Sequence, residues 1–143
     1  MHIKVKKTVM IKEGTLLLIE NDPADINLFE MAAKELGFDN KVKICESGEQ
    51  AIQFLKQLGA ETFLILCDMN MPKMTGMELK RELQETSRMA SKTIPFVFFS
   101  TNTNDELLIE AYELGAHGYF LKGDTYEEYR DRMEIIIKYW EMS

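Results

Sequence analysis

The chain has no apolar run approaching the roughly 20 residues that a bilayer-spanning helix needs. A membrane role is therefore not expected, and a cytoplasmic location follows as the default. Residues 1–14 carry Lys4, Lys6, Lys7 and Lys12 but no apolar segment, so they do not read as a secretion signal. Positive charge is scarce as well: 17 Lys and Arg stand against 24 Asp and Glu, a formal net charge of −7. Phosphate backbones are bound through clustered Lys and Arg, so nucleic acid is not expected as a partner. Cysteine is limited to Cys45 and Cys67, each inside an apolar run and without metal-type spacing. Both read as small buried hydrophobes rather than as a disulfide or a catalytic thiol. Repeats, low-complexity segments and linkers are missing too, and 143 residues suit one domain around one core. Residues 1–13 read as an N-terminal extension, a solvated tail whose order the sequence leaves open, and residues 14–143 as the domain.

What is present is an alternation. Short apolar runs occur at residues 15–19, 42–45, 63–67, 96–99 and 119–121, brief and apolar enough for strands buried on both faces of a parallel sheet. Amphipathic stretches with readable punctuation lie between them. The first helix has Asp22 as N-cap, Pro23 at its first position, Ile26, Phe29, Ala33 and Leu36 on one face, then Gly37. The second opens with Ser47 and Gln50 as a capping box, runs through Ala51, Leu55 and Leu58, and stops at Gly59. The third begins near Gly76 and buries Leu79 and Leu83. The fourth pairs Thr103 with Glu106, presents Leu107, Ala111 and Leu114, and ends at Gly115. The fifth pairs Thr125 with Glu128 and aligns Tyr129, Met133, Ile136 and Trp140.

Five β-α units predict a doubly wound α/β fold: a five-stranded parallel sheet with helices on both faces. Periodicity does not set the strand order, but 2-1-3-4-5, the flavodoxin-like order, is the common solution at this size. Chemistry in such sheets sits at the carboxyl ends of the strands. There the sequence places Glu20, Asn21 and Asp22 after the first strand and Asp68 after the third. Ser100 ends the fourth and Lys122 the fifth. Carboxylates, a hydroxyl and a lysine at one rim make a site for Mg²⁺ and a phosphoryl group. A carboxylate can act there as nucleophile toward phosphorus.

The segment Asp68-Met69-Asn70-Met71-Pro72-Lys73-Met74-Thr75-Gly76 resembles the D-x-x-M-P-x-x-x-G signature of response-regulator receiver domains. Leu16-Leu17-Leu18-Ile19-Glu20-Asn21-Asp22-Pro23 is similar to that family's first strand and acidic pocket. Phe98-Phe99-Ser100 and Gly118-Tyr119-Phe120-Leu121-Lys122 match its last two strands. The resemblance implies a single-domain, two-component regulator with Asp68 as phosphoacceptor. It assigns Mg²⁺ to Glu20, Asn21, Asp68 and the Asn70 backbone carbonyl, with Asp22 as a further candidate. Ser100 and Lys122 would bind the phosphoryl group, and Tyr119 would move inward as Ser100 shifts. Asn70 and Asn102 stand where the lifetime of the phosphorylated state is tuned. The implied partner is a histidine kinase or histidine phosphotransfer protein. A homodimer or partner surface is expected on the fourth helix, fifth strand and fifth helix, where Tyr139 and Trp140 fall.

The chain departs from the pattern at three points. Asn21 replaces a carboxylate that commonly binds the metal, so weaker Mg²⁺ binding is expected. Gly123 replaces a proline that often follows a cis peptide, and because a non-proline cis bond costs about 2.5–4 kcal/mol, a trans and looser loop is expected. Thr101 replaces a small residue beside Ser100, where its bulk would narrow access to the site. Three functions follow. One is the phosphoacceptor switch, no enzyme beyond slow self-catalysed phosphorylation and dephosphorylation. The second is a pseudo-receiver that binds partners without phosphorylation, motivated by Asn21 and Gly123. A phosphatase ranks last, because Asn70 stands where that class has its acid/base aspartate. Flavin binding is disfavoured by Glu20 and Asp22, which would repel a phosphate. The ten methionines read mostly as core and helix filler, with those at 69, 71, 74 and 77 offering a weaker reading as an adaptable docking rim.

Overall fold

Strands that are apolar along nearly their whole length can be buried only between two helical layers. The structure, a computed structural model, describes residues 13–57, 61–85 and 94–142. In chain order its elements are β1 (Thr15–Ile19), α1 (Pro23–Glu35), β2 (Val42–Cys45), α2 (Gly48–Lys56) and β3 (Thr62–Cys67). They continue with α3 (Gly76–Glu85), β4 (Phe96–Ser100), α4 (Asp105–Glu113), β5 (Gly118–Leu121) and α5 (Tyr126–Glu141). The five strands form one parallel sheet in the order β2-β1-β3-β4-β5, as the doubly wound reading expects. Register aligns Ile19 with Cys45 on one side and with Cys67 on the other, so the strands beside β1 end level with it. Residues 1–12 of the expected 1–13 tail, and Leu58 and Gly59, the expected last residues of the second helix, lie outside the described residues.

Side chains alternate across the sheet and divide the core in two. Leu16, Leu18, Leu64, Leu66, Val97 and Phe99 meet α1 and α5, through Phe29, Ala32, Tyr129, Met133 and Ile136. Leu17, Ile19, Ile65, Cys67, Phe96 and Phe98 meet α2, α3 and α4, through Ala51, Leu55, Leu79, Leu83 and Ala111. Both cysteines are free and buried, as read from their apolar context.

Most caps form where the spacing places them. Asp22 Oδ1 accepts from the Ala24 amide at 2.9 Å, Ser47 from Gln50 and Thr125 from Glu128. Three local expectations shift. The cap of α4 is Asn104, whose Oδ1 accepts from Leu107 N at 2.9 Å, and not Thr103; asparagine is the stronger cap of two adjacent candidates. In α1 the inward residue is Ala32, with Ala33 only half-buried. Gln50 turns back to Glu46 N rather than to Ser47 N. Thr75 and Glu78 add a capping box on α3: Thr75 Oγ1 accepts from Glu78 N, and Glu78 Oε1 from Thr75 N. The methionine docking rim is not there. Met69, Met71 and Met77 are buried in the core, and Met74 lies over Gly48.

Candidate functional site

Each strand that ends at the rim hands its last polar residue to the next strand for support. Glu20 N donates to Cys45 O, Asp68 N to Ile19 O, and Lys122 N to Ser100 O, at 2.8–3.0 Å. Residues distant in sequence are thereby fixed on a common edge. The buried polar residues of the chain, among those described, are Glu20, Asp68, Ser100 and Lys122. All four were singled out from the sequence.

Behind Asp68 the chain must turn at once into α3, and Gly76 permits it. Its amide donates to Met69 O at 2.9 Å, and a Cβ at Gly76 would stand 2.5 Å from the Asp68 carbonyl oxygen. The phosphoacceptor candidate thus sits on a backbone closed by that glycine. A second glycine shapes the other side of the rim. Gly123 has φ +85°, and a Cβ there would strike the Glu128 side chain, whose carboxylate accepts from Asp124 N at 2.7 Å. The peptide is trans, as expected in the absence of proline, while the turn is held by this hydrogen bond and the Thr125 cap.

Lys122 is the hub. Its Nζ lies 2.6 Å from Glu20 Oε1, 2.8 Å from Asp25 Oδ2 and 3.5 Å from Asp68 Oδ1. Burial raises the Glu20 and Asp68 carboxyls above their ordinary range, with Lys122 pulling the other way. Burial acts to lower Lys122, but hydrogen bonds to Asp25 and Glu20 overcome it and hold the ammonium above its usual value. The lysine stays charged, and its carboxylate neighbours exceed it in charge. Ser100 Oγ is fully buried and has no hydrogen-bond partner among the described residues. An orphaned hydroxyl in this position is a donor awaiting an acceptor.

The other sequence candidates are placed as follows. Asn21 is half-buried and its amide nitrogen leans toward Glu46 O at 3.5 Å, leaving its amide oxygen as the neutral donor. Asn70 is exposed behind Asp68. Asp22 is exposed and occupied as the α1 cap. Tyr119 packs against Phe98, with ring centroids 5.6 Å apart, and its hydroxyl donates to Asn102 O at 3.0 Å. It is held by the loop that carries the lifetime candidate. Thr101 is exposed beside Ser100. Asp25 is the residue that sequence reading missed. It stands three positions past the Asp22 cap, in the first turn of α1, where an acid is ordinary and gives no signal of a partner.

Among the described residues no group of three or more His, Cys, Asp or Glu side chains is arranged to hold a metal ion. The oxygen donors that the family resemblance assigns are mixed: two buried carboxylates, Glu20 and Asp68, with the Asn21 amide and the Asn70 carbonyl as neutral oxygens. That set suits a hard cation that retains several waters. The raised carboxyls are sites short of positive charge, which is what such a cation supplies.

The comparisons agree with this geometry. The model of the response regulator receiver domain matches residues 16–134. Response regulator Rcp1 of Synechocystis sp. is 30% identical over 130 residues, covering 87% of each chain. A probable methanogenesis regulatory protein, FilR2 of Methanothrix harundinacea, is 28% identical over 129 residues, covering 87% of this chain and 82% of its own. Among solved structures, the phosphorylated cyanobacterial phytochrome response regulator RcpA superimposes with a TM-score of 0.81 at 25% identity, over 90% of this chain and 94% of that one. The Mn²⁺-bound form of Rcp1 does so with a TM-score of 0.79 at 28% identity, over 91% and 96%. The family match spans the strands that supply Glu20, Asp68, Ser100 and Lys122, and by it the chain belongs to the response regulator receiver domains.

Proposed function

We propose that the chain is a phosphoacceptor switch, modified on Asp68 by a histidine kinase or a histidine phosphotransfer protein. The observation that carries this reading is the buried Asp68 carboxylate facing the Lys122 ammonium at 3.5 Å, a nucleophile and a counter-charge at one rim. In the transfer, an Asp68 oxygen forms the new O–P bond as the N–P bond of the phosphohistidine breaks, and the bonding pair leaves with the imidazole nitrogen. Lys122 pairs with the incoming phosphoryl oxygens, and Ser100 Oγ donates to one of them. Glu20, Asp68, the Asn21 amide and the Asn70 carbonyl would hold Mg²⁺, which neutralises phosphoryl charge when bound. That Rcp1 has been seen with Mn²⁺ and RcpA phosphorylated supports both halves of the reading. With Asn21 neutral, the cation is bound more weakly than by a third carboxylate.

Output runs through protein contacts on the α4-β5-α5 face. Ile109, Tyr112, Leu121, Ile135 and Tyr139 are exposed there, an apolar surface suited to a second copy or a target protein. The described residues include no helix long and apolar enough to cross a membrane. The net charge of −7 disfavours nucleic acid. We assign the protein to the cytoplasm and to no enzymatic role beyond slow turnover of its own phosphoryl group.

Intact mass after incubation with a small phosphodonor and Mg²⁺ tests the reading, with beryllofluoride-induced changes in Trp140 and tyrosine fluorescence read beside it. A phosphate-sized gain that requires Mg²⁺ and vanishes in Asp68→Ala is the expected result. A second reading, the phosphorylation-independent pseudo-receiver, is favoured by Asn21. No adduct at millimolar Mg²⁺ from donor or kinases, with normal partner binding by Asp68→Ala, would establish it instead.

A further inference from the structure

Glu20 has two claims on it. Its Oε1 is bound to Lys122 at 2.6 Å and its Oε2 accepts from Asp22 N at 3.2 Å, so neither oxygen is idle. If Glu20 turns to a divalent cation, Lys122, only 3% exposed, loses its shortest partner. A buried ammonium without a partner is costly. Asp68, at 3.5 Å, is itself claimed by the cation, which leaves Asp25 at 2.8 Å.

We propose that Asp25 is a positioning residue that holds Lys122 while Glu20 and Asp68 serve a divalent cation. This rests on the metal-binding reading above. Asp25 contacts the lysine at 2.8 Å from the α1 side and lies outside the proposed donor set. It is therefore free to keep the ammonium charged and aimed at the rim. Asp22 carries the same charge on the same turn but only caps the helix, which makes it an internal control.

Calorimetric titration of the whole protein with Mg²⁺ tests this, using wild type, Asp25→Asn, Asp25→Glu and Asp22→Asn, the last of which keeps a capping side chain. Each is repeated in a Lys122→Gln background, with Lys122→Met as a second background that keeps apolar volume if the first does not fold. Asp25→Asn is expected to weaken Mg²⁺ binding about fivefold and Asp22→Asn less than about twofold, in line with a partly exposed ion pair. Asp25→Glu recovers most of the loss. Without Lys122 the Asp25→Asn effect disappears. Equal losses from Asp25→Asn and Asp22→Asn, or an undiminished Asp25→Asn effect without Lys122, overturn the proposal, since Asp25 then acts as a distant charge or a direct ligand. Absence of Mg²⁺ binding by wild type overturns the metal reading and this proposal together, whereas wild-type binding unmoved by Asp25→Asn overturns this one alone.

Discussion

On its α1/α5 side the sheet meets stiff, braced partners, whereas on its α2–α4 side it meets deformable ones. Phe99 packs on Tyr129 with ring centroids 4.9 Å apart. Above them, Tyr126 and Arg130 of α5 both bind Glu35 of α1, at 2.6 and 3.1 Å, and Lys122 binds Asp25. The opposite side holds Met69, Met71 and Met77, with Met74 and Tyr119 at its margin. Aromatic rings have few rotamers, while an unbranched methionine refits itself to a changed cavity. By alternation along β4, Ser100 falls on the side of Phe96 and Phe98, the methionine side. The charges that must stay still belong to one face, and the hydroxyl and tyrosine proposed to move belong to the other.

The comparison can be broken from either side. The largest effect is expected from Phe99→Ala, which empties a fully packed site on the braced face and should cost about 3–5 kcal/mol in urea unfolding. A smaller loss would mean that this face relaxes as readily as the other.

Asp68→Asn in Mg²⁺-free buffer should act in the opposite direction and stabilise by about 0.5–2 kcal/mol, as functional residues often do when neutralised. Burial raises the Asp68 carboxyl above its ordinary 3.8, and a raised group supports folding fully only below that value. The support is lost as pH climbs through the folded-state value. The advantage of Asp68→Asn should therefore open as pH rises above 3.8 and close below it, which melting curves across that window would show.

The same swap on the two faces sharpens the contrast further. Met133→Leu, among the aromatic partners, should cost up to about 1.5 kcal/mol, and Met77→Leu distinctly less. Equal costs in urea titrations would remove the distinction. Smallest of all, Arg81→Ala breaks an exposed ion pair with Glu110 at 2.7 Å and should change stability by about 0.2–1 kcal/mol or less.

Legibility in the sequence followed the physical origin of each feature. The strands and the rim residues were readable because buried strands exclude polar groups except at their ends, so Glu20, Asp68, Ser100 and Lys122 stood out, whereas the strand order rested on the common solution for such folds. Choices between neighbours were not readable to the residue. Thr103 and Asn104 can both cap, and the stronger cap, Asn104, takes the position. Asp25 was hidden because an acid in a first turn is ordinary for a helix, and only the return of β5 gives it a lysine. Of the two readings of the methionines after Asp68, core filler and the weaker docking rim, the first holds, with Met69, Met71 and Met77 buried.

Glu20 and Lys122 are 102 positions apart, the first and last strands of the sheet supplying opposite charges to one contact. A chain made from its N-terminus therefore exposes Glu20, Asp25 and Asp68 well before the ammonium that offsets them. Closing so long a loop is slow, and until β5 docks the growing sheet holds uncompensated acids at its rim. Arrival of the final strand adds its pairing with β4 and the Lys122 ammonium to that rim together. Under the proposed function, competence to receive a phosphoryl group therefore waits on the docking of β5.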